Sequence, residues 1–389
     1  MSARMQKSAL AVLATYLCAP NLFAEFRVNM PEGVTRISEE VYSLHMLVFW
    51  VCVVIAIIVF GLMFYAIIKH RKSKGAVAKN FHESLKVEIL WTAIPALIVF
   101  ALGYRAFFTL EKMYDYDDSA LTVEIVGYQW KWRYSYLMDD AAKEDSAQGT
   151  QFPVSFFSNL ITPESQINNT EAKGEHYLLE VDEPLVLPVG SKVRFILTSA
   201  DVIHSWWVPQ LSVKKDAIPG IVNEAWTLIE KPGTYRGQCT ELCGKGHGFM
   251  PVVVQAVSQT EFDQWMLGKQ DEARQKASLN VKTWTMGELM ETGERAYNTY
   301  CAACHQANGE GLPPAFPALK NSAIALGPVE AHLDIVINGS RVNPAMAAFG
   351  AQLSAAEIAA IITYERNAWG NNTGDMVTPQ DVSNFGSSQ

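Results

Sequence analysis

Residues 237–251 read Gly237-Gln-Cys-Thr-Glu-Leu-Cys-Gly-Lys-Gly-His-Gly-Phe-Met-Pro251. The stretch offers two thiols, Cys239 and Cys243, an imidazole, His247, and a thioether, Met250. Soft sulfur together with imidazole selects copper, zinc or an iron–sulfur cluster. A structural zinc site draws its four ligands from Cys and His and has no use for the Met. A blue-copper site uses a single Cys, whereas two Cys on one loop allow both thiolates to bridge two copper ions. A second histidine is then required. His204, in Asp201-Val-Ile-His-Ser-Trp-Trp207, follows a strand-like segment, and a β-sandwich can bring it beside Cys239.

Outward from this loop the pattern has period two. Thr122–Val126, Lys192–Leu197 and Val252–Val257 alternate as strands do, with Gly, Pro and Asp turns at short intervals. That pattern predicts an all-β sandwich or barrel over residues 120–260. The polar stretch Asp139–Lys173 reads as an inserted loop.

Upstream lie two apolar runs, Tyr42–Ile68 and Ile89–Phe108. Each is near the roughly 20 residues a helix needs to cross a bilayer. The second contains Pro95, which membrane helices tolerate. The loop between them holds Lys69, Arg71, Lys72, Lys74 and Lys79. Excess Lys and Arg mark the cytoplasmic side, so residues 40–110 form a two-helix transmembrane hairpin with both ends outside. Before it, Arg4 and Lys7 precede the apolar Ala9–Ala19 and a small Ala24. Residues 1–24 therefore read as a signal peptide.

Downstream, residues 267–284 are rich in Gln, Lys, Ala and Asp and read as a linker. From Thr285 the chain turns helical. Thr285-Met-Gly-Glu288 and Ser354-Ala-Ala-Glu357 are capping-box signatures, and Val329–Ile337 reads as a short helix between them. Cys301-Ala-Ala-Cys304-His305 is the attachment signature of a c-type haem, with His305 as the proximal ligand. Met346, in Asn343-Pro-Ala-Met-Ala-Ala-Phe349, is the candidate sixth ligand. From Thr285 on, the segment resembles a class I cytochrome c domain. By that resemblance Pro313 and Pro314 are candidates for the carbonyl that holds the His305 ring proton, and Gly293 and Tyr297 would let the first helix of an all-α domain, 285–370, pack on the last near Tyr364. Residues 371–389 read as a disordered tail. The other histidines, His45, His70, His82, His176 and His332, have no partner in the sequence, and surface or interfacial roles are expected for them.

Composition agrees with a multidomain membrane protein: 389 residues suggest two or three domains, and 49% are hydrophobic. The formal net charge of −9 speaks against nucleic acid as a partner and suits a basic protein.

With His-Ser-Trp upstream, the Cys239-x-Glu-x-Cys243-x-x-x-His247-x-x-Met250 pattern resembles the CuA site of cytochrome c oxidase subunit II. The resemblance extends over residues 40–260 and implies a helix hairpin followed by a cupredoxin domain. Residues 286–370 resemble a class I cytochrome c domain, with one departure: Ala347 stands where many such domains have Pro. The resemblance implies that Cys239 and Cys243 bridge both coppers. His204 and Met250 would complete one copper, and His247 and the Glu241 carbonyl the other. The Glu241 carboxylate would reach a magnesium ion shared with subunit I. Gly127-Tyr-Gln-Trp-Lys-Trp132 resembles the family's aromatic strand, in which the position of Trp130 receives electrons. Trp132 is expected to share a face with it. Glu88 matches a carboxylate at the mouth of a proton channel in subunit I.

These resemblances together imply a membrane-anchored oxidase subunit carrying dinuclear copper and covalent haem c. Electrons would pass from a soluble or membrane cytochrome c donor to haem c, to CuA, and on to subunit I, where dioxygen is reduced with proton pumping. Subunits I and III would be its partners in a bacterial inner membrane, with the metal domains periplasmic. The alternative is a CuA/haem c electron wire working outside an oxidase.

Overall fold

The computed structural model describes residues 29–77, 82–137, 154–343 and 346–387. The expected signal peptide lies outside these, as do residues 139–153 of the expected inserted loop.

Two long helices come first, α1 (Arg36–Lys69) and α2 (Leu85–Met113). Both are long and apolar enough to cross a membrane, and their large side chains, such as Trp50, Leu62, Trp91 and Phe100, are exposed. The helices outrun the apolar runs because polar residues extend their outer ends. Thr35 caps α1 in a capping box with Ser38. Lys112 of α2 then pairs with Glu40 of α1 at 2.6 Å, which ties the outer ends together. The Trp226 indole donates to the Lys112 carbonyl at 3.1 Å and fixes the hairpin to the next domain.

That domain is built from β1 (Leu121–Tyr128), β2 (Lys131–Leu137), β3 (Val154–Ser158), β4 (Leu185–Pro188), β5 (Lys192–Ser199), β6 (His204–Val208), β7 (Val213–Ala217), β8 (Asn223–Leu228), β9 (Gly233–Cys239) and β10 (Pro251–Val257). Two five-stranded sheets run in the orders β3-β2-β1-β5-β8 and β4-β10-β9-β6-β7. Alternate residues of β2 and β5 are buried, so each strand sends one face inward. Ile125, Trp132, Phe195, Leu197, Trp206 and Val252 are fully buried in the core between the sheets. Burial of a large apolar side chain contributes about 1.5–3 kcal/mol. Polar atoms of the core aromatics are partly answered: the Tyr136 hydroxyl donates to the Val186 carbonyl at 2.7 Å.

Strand β3 is a correction to the inserted loop. Ser-Phe-Phe-Ser is short, and its polar neighbours hide it in the sequence, but it pairs with β2 from Trp132↔Ser158 to Tyr136↔Val154.

The expected linker takes a helical form. Residues 259–281 form one continuous helix, α3 (Gln259–Val281). Its Ala, Leu, Gln, Lys and Glu content favours helix, and Ser258 and Glu261 close a capping box at its start. This is the signal read at Thr285 and Ser354, overlooked at Ser258. The helix spans about 35 Å. Its first half is anchored: Phe262 is buried, and Trp265 packs 5.2 Å from the Tyr136 ring. Lys269 pairs with Glu183 at 2.7 Å.

The last domain comprises α4 (Met286–Tyr300), a helical turn at Ala302–His305, α5 (Val329–Asn338), α6 (Ala355–Asn367) and α7 (Pro379–Ser387). Both expected capping boxes are present. Helix α4 crosses α6 at Gly293, where an added Cβ would lie 2.1 Å from the Ala360 carbonyl oxygen. Tyr297 packs against Tyr364 there, ring centroids 5.6 Å apart.

The tail is folded where disorder was expected. Val377 and Val382 are buried in the same core as Leu333 and Ile362. Asn371 donates to the carbonyls of Leu319 and Glu365, and Thr378 caps α7 by bonding to Asp381. The apolar residues Val382 and Phe385, three apart, give this polar-looking segment one inward face.

Candidate metal centres

The sulfur-rich loop runs between β9 and β10. Cys239 ends β9, and it pairs across the sheet with Trp206, two residues into β6 from His204. That register brings the distant histidine to the loop. Gly127 makes room for it, since an added Cβ there would meet the His204 ring at 2.7 Å. His204, Cys239, Cys243 and Met250 are all buried.

The donor atoms converge. The two Sγ atoms lie 3.9 Å apart, too far for a disulfide. Cys239 Sγ is 3.9 Å from His204 Nδ1 and 3.3 Å from the Glu241 carbonyl oxygen. Cys243 Sγ is 3.6 Å from His247 Nδ1 and 3.6 Å from Met250 Sδ. His204 bonds through Nε2 to Asp201 Oδ1 at 2.9 Å, which leaves Nδ1 turned to sulfur. A carboxylate behind a ligating imidazole fixes ring orientation and raises basicity.

Burial opposes a charged His204 ring, but Asp201 and the Cys239 thiol outweigh it and push its pKa up to about 9. Burial also opposes the Cys239 thiolate, yet His204 and the Ser205 backbone bring it down to about 7. For Cys243, burial and the Cys239 charge act together and push it up to about 12. Burial and mutual repulsion thus oppose two thiolates side by side, and a bound cation would relieve both. Two thiolates, two imidazoles, a thioether and a carbonyl suit soft, bridged copper. The Glu241 side chain is exposed, and among the described residues no carboxylate cluster accompanies it, so the magnesium expectation gains no support here.

Trp130 is not on a strand. It occupies the turn between β1 and β2, and its indole Nε1 donates to the Cys243 carbonyl at 3.1 Å. The Gln129 amide donates to the same oxygen at 2.9 Å. Trp132 does not accompany it at the surface, because it is fully buried with its ring 5.9 Å from His204.

A second centre lies in the all-α domain. Cys301, Cys304, His305 and Met346 line one open crevice of about 1100 Å³, walled by Phe316, Phe349 and other apolar groups. Both thiols are free. His305 Nδ1 bonds to the Pro317 carbonyl at 2.8 Å, which directs Nε2 to the crevice. The carbonyl is thus that of Pro317, not of Pro313 or Pro314, because the chain folds back there and Leu312 pairs with Phe316. These residues fit a covalently held haem.

His332 is a further correction. It is buried, not superficial, and it lines the same crevice with Glu365, to which its Nε2 bonds at 2.7 Å. Among the described residues its Nδ1 has no hydrogen-bond partner. The signal was available: His332 stands on α5 four residues before the buried Val336, on the inward stripe. Glu88 is remote from both centres. It lies in the first turn of α2, where its carboxylate accepts from the Ser84 backbone at 3.2 Å.

Comparison with known proteins follows these divisions. The family described as cytochrome c oxidase subunit II, periplasmic domain, matches residues 121–257. The corresponding transmembrane-domain family matches residues 24–110. A family described as cytochrome c oxidase, cbb3-type, subunit III matches residues 288–364. The chain is 33% identical over 286 residues to a probable cytochrome c oxidase subunit 2 of Rickettsia felis, covering 72% of this chain and 84% of that one. It is 36% identical over 244 residues to cytochrome c oxidase subunit 2 of Cyanidium caldarium, covering 63% and 91%. The crystal structure of the periplasmic domain of subunit II of cytochrome oxidase from Bradyrhizobium japonicum is 34% identical, with a TM-score of 0.33, and covers 40% of this chain and 98% of that one.

Proposed function

Because the chain belongs to the cytochrome c oxidase subunit 2 family, we propose that it is the electron-entry subunit of a haem–copper oxidase whose first acceptor is its own C-terminal haem domain. The observation that carries this reading is the pair Cys239 and Cys243, Sγ atoms 3.9 Å apart, each facing its own imidazole.

When bound, haem c and dinuclear copper each take up and give up single electrons. The residues of the chain do the rest. Cys239, Cys243, His204, His247, Met250 and the Glu241 carbonyl would together hold the two coppers. Asp201 holds His204 in one orientation, and burial excludes water from the sulfurs. Cys301 and Cys304 would hold the haem through thioethers, and His305 and Met346 would hold its iron.

Electrons then enter at the all-α domain, leave the copper domain for subunit I, and reach dioxygen there. Trp130, bonded to the backbone of a copper ligand, is the residue between. Glu88 would collect protons at the cytoplasmic end of α2 for subunit I. The reading places the anchor in a bacterial inner membrane, with both metal domains on the periplasmic side, a cytochrome c as donor, and subunit III beside subunit I.

The purified native complex tests this. Electron paramagnetic resonance should give a copper signal shared over two nuclei, lost in Cys239→Ser, and on rapid mixing with a reductant the haem should be reduced before the copper. A single-copper pattern, or isolation without a many-helix haem partner, would overturn it.

A further inference from the structure

We propose that Lys131 and Gln352 form the seat on which the haem domain docks against the copper domain, placing its crevice over Trp130 and closing that face to a diffusing donor. Lys131 directly follows Trp130, and its Nζ donates to Gln352 Oε1 across 221 positions of sequence. Gln352 directly precedes Leu353, which lines the haem crevice. Covalent neighbours and two hydrogen bonds thus run from Leu353 through Gln352, Lys131 and Trp130 to the Cys243 carbonyl.

The surroundings of Lys131 are those of a docked group. Its ammonium lies 4.4 Å over the Phe157 ring. Burial lowers its pKa against the opposing pull of Asp182. Asp182 is itself fixed by the Asn159 backbone at 2.7 Å, and its charge also reaches Tyr300, which lines the crevice. An ammonium taken from water must find acceptors or it opposes the contact. Gln352 supplies one, so the seat accepts a partner that presents an acceptor at that place and rejects one that does not.

The rest of the fold holds the seat in register. Helix α3 is packed on the copper domain through Phe262 and Trp265, and near its other end the Asn280 side chain accepts from the Ala356 backbone at 3.0 Å. Ala356 is the second residue of α6, four residues beyond Gln352. The connection is a strut fixed at both ends, and the two domains need no search to meet.

This inference rests on the proposed electron route but can be tested apart from it. In the full chain assembled in its complex, an amine-acylating reagent followed by peptide mass spectrometry reads the accessibility of Lys131. Lys131 should react far more slowly than the exposed Lys276. Gln352→Leu should raise its reactivity about tenfold or more, the scale set by one lost bond to a charged donor. The same variant should broaden the copper-to-haem distance distribution in pulsed electron paramagnetic resonance and slow internal transfer. Lys131→Met combined with Gln352→Leu removes both polar partners and should restore the narrow distribution. Lys131 reacting as fast as Lys276 in the wild type, or an unchanged distribution in Gln352→Leu, would overturn the seat. Protected Lys131 in a chain that shows no haem-to-copper transfer would leave the seat standing and overturn the route.

Discussion

The Trp130 indole donates to the carbonyl of Cys243 at 3.1 Å, so an aromatic ring at the edge of the copper domain is bonded to the backbone of a candidate copper ligand. Gly246 lies under that ring, where an added Cβ would sit 2.3 Å from it. The ring is therefore held flat on the loop. Trp130→Phe keeps an aromatic face and loses the bond, whereas Trp130→Gln loses both. Misplacing reacting groups by about 1 Å can cost about a hundredfold. Trp130→Gln should approach that loss in the haem-to-copper rate, Trp130→Phe should lose less, and both metal spectra should stay native. Flash or rapid-mixing kinetics on the complex measures this. An unchanged rate with intact centres would make Trp130 a packing residue.

Asp201 decides which nitrogen of His204 faces the copper loop. Asp201→Asn keeps the shape and removes the charge. Loss of such a partner typically costs about 10–100-fold in metal affinity. Competition with a copper chelator should show that loss, with haem content unaltered. Cys239→Ser should abolish the dinuclear copper signal and leave the haem band, because the two ligand sets lie in separately cored domains.

The sequence made the chemistry legible because ligand chemistry is local: Cys239-x-x-x-Cys243 and Cys301-x-x-Cys304-His305 each lie within one loop or turn. His204 was also accessible, through its strand-like context. Contacts set by the tertiary fold were harder to read. Pro317 rather than Pro313 or Pro314 meets His305 because of a chain reversal that no spacing announces. Trp130 and Trp132 look like a period-two pair, but a turn inserted at Gln129-Trp130 separates them. Helix α3 was hidden by its own polarity, since a strut between domains has little apolar periodicity to show. Gln352 and Lys131 carry no motif at all.

Glu88 accepts from the Ser84 backbone at the start of α2, a bond that Gln could also accept. Glu88→Gln should therefore preserve the helix end while removing the ionisable group. Turnover of the complex should fall, and transfer from haem c to copper should not. If turnover at saturating donor equals that of the wild type, the carboxylate is only a helix cap.

Glu288 links pH to stability. Lys282 at 2.8 Å, together with the Thr285 cap, holds its carboxyl down to about 2 from an ordinary 4.5. A folded value below the unfolded one stabilises the folded state above the unfolded pKa, and that stabilisation is lost as pH falls through the folded value. Glu288→Gln should thus lower the denaturant midpoint of the haem domain at pH 6, and the gap from wild type should close between about pH 4.5 and about pH 2. A gap that stays constant with pH would assign the effect to packing of the cap.

The buried pair His332–Glu365 stands apart from both ligand sets, although it lines the haem crevice. Its side chains are 2% and 4% exposed, so neither group is rescued by water when the other is removed. Breaking such a pair by removing one partner typically costs about 3–5 kcal/mol, whereas replacing both with apolar residues is often neutral or stabilising. Glu365→Leu should therefore destabilise the haem domain by about that amount, and His332→Leu combined with Glu365→Leu should recover most of it. Denaturant unfolding followed at the haem band measures both. Among the described residues His332 Nδ1 has no hydrogen-bond partner, so with Glu365 gone neither ring nitrogen would have one among them. Should the single variant unfold at the wild-type midpoint, the two groups would be reached by water and the pair would contribute nothing to the fold.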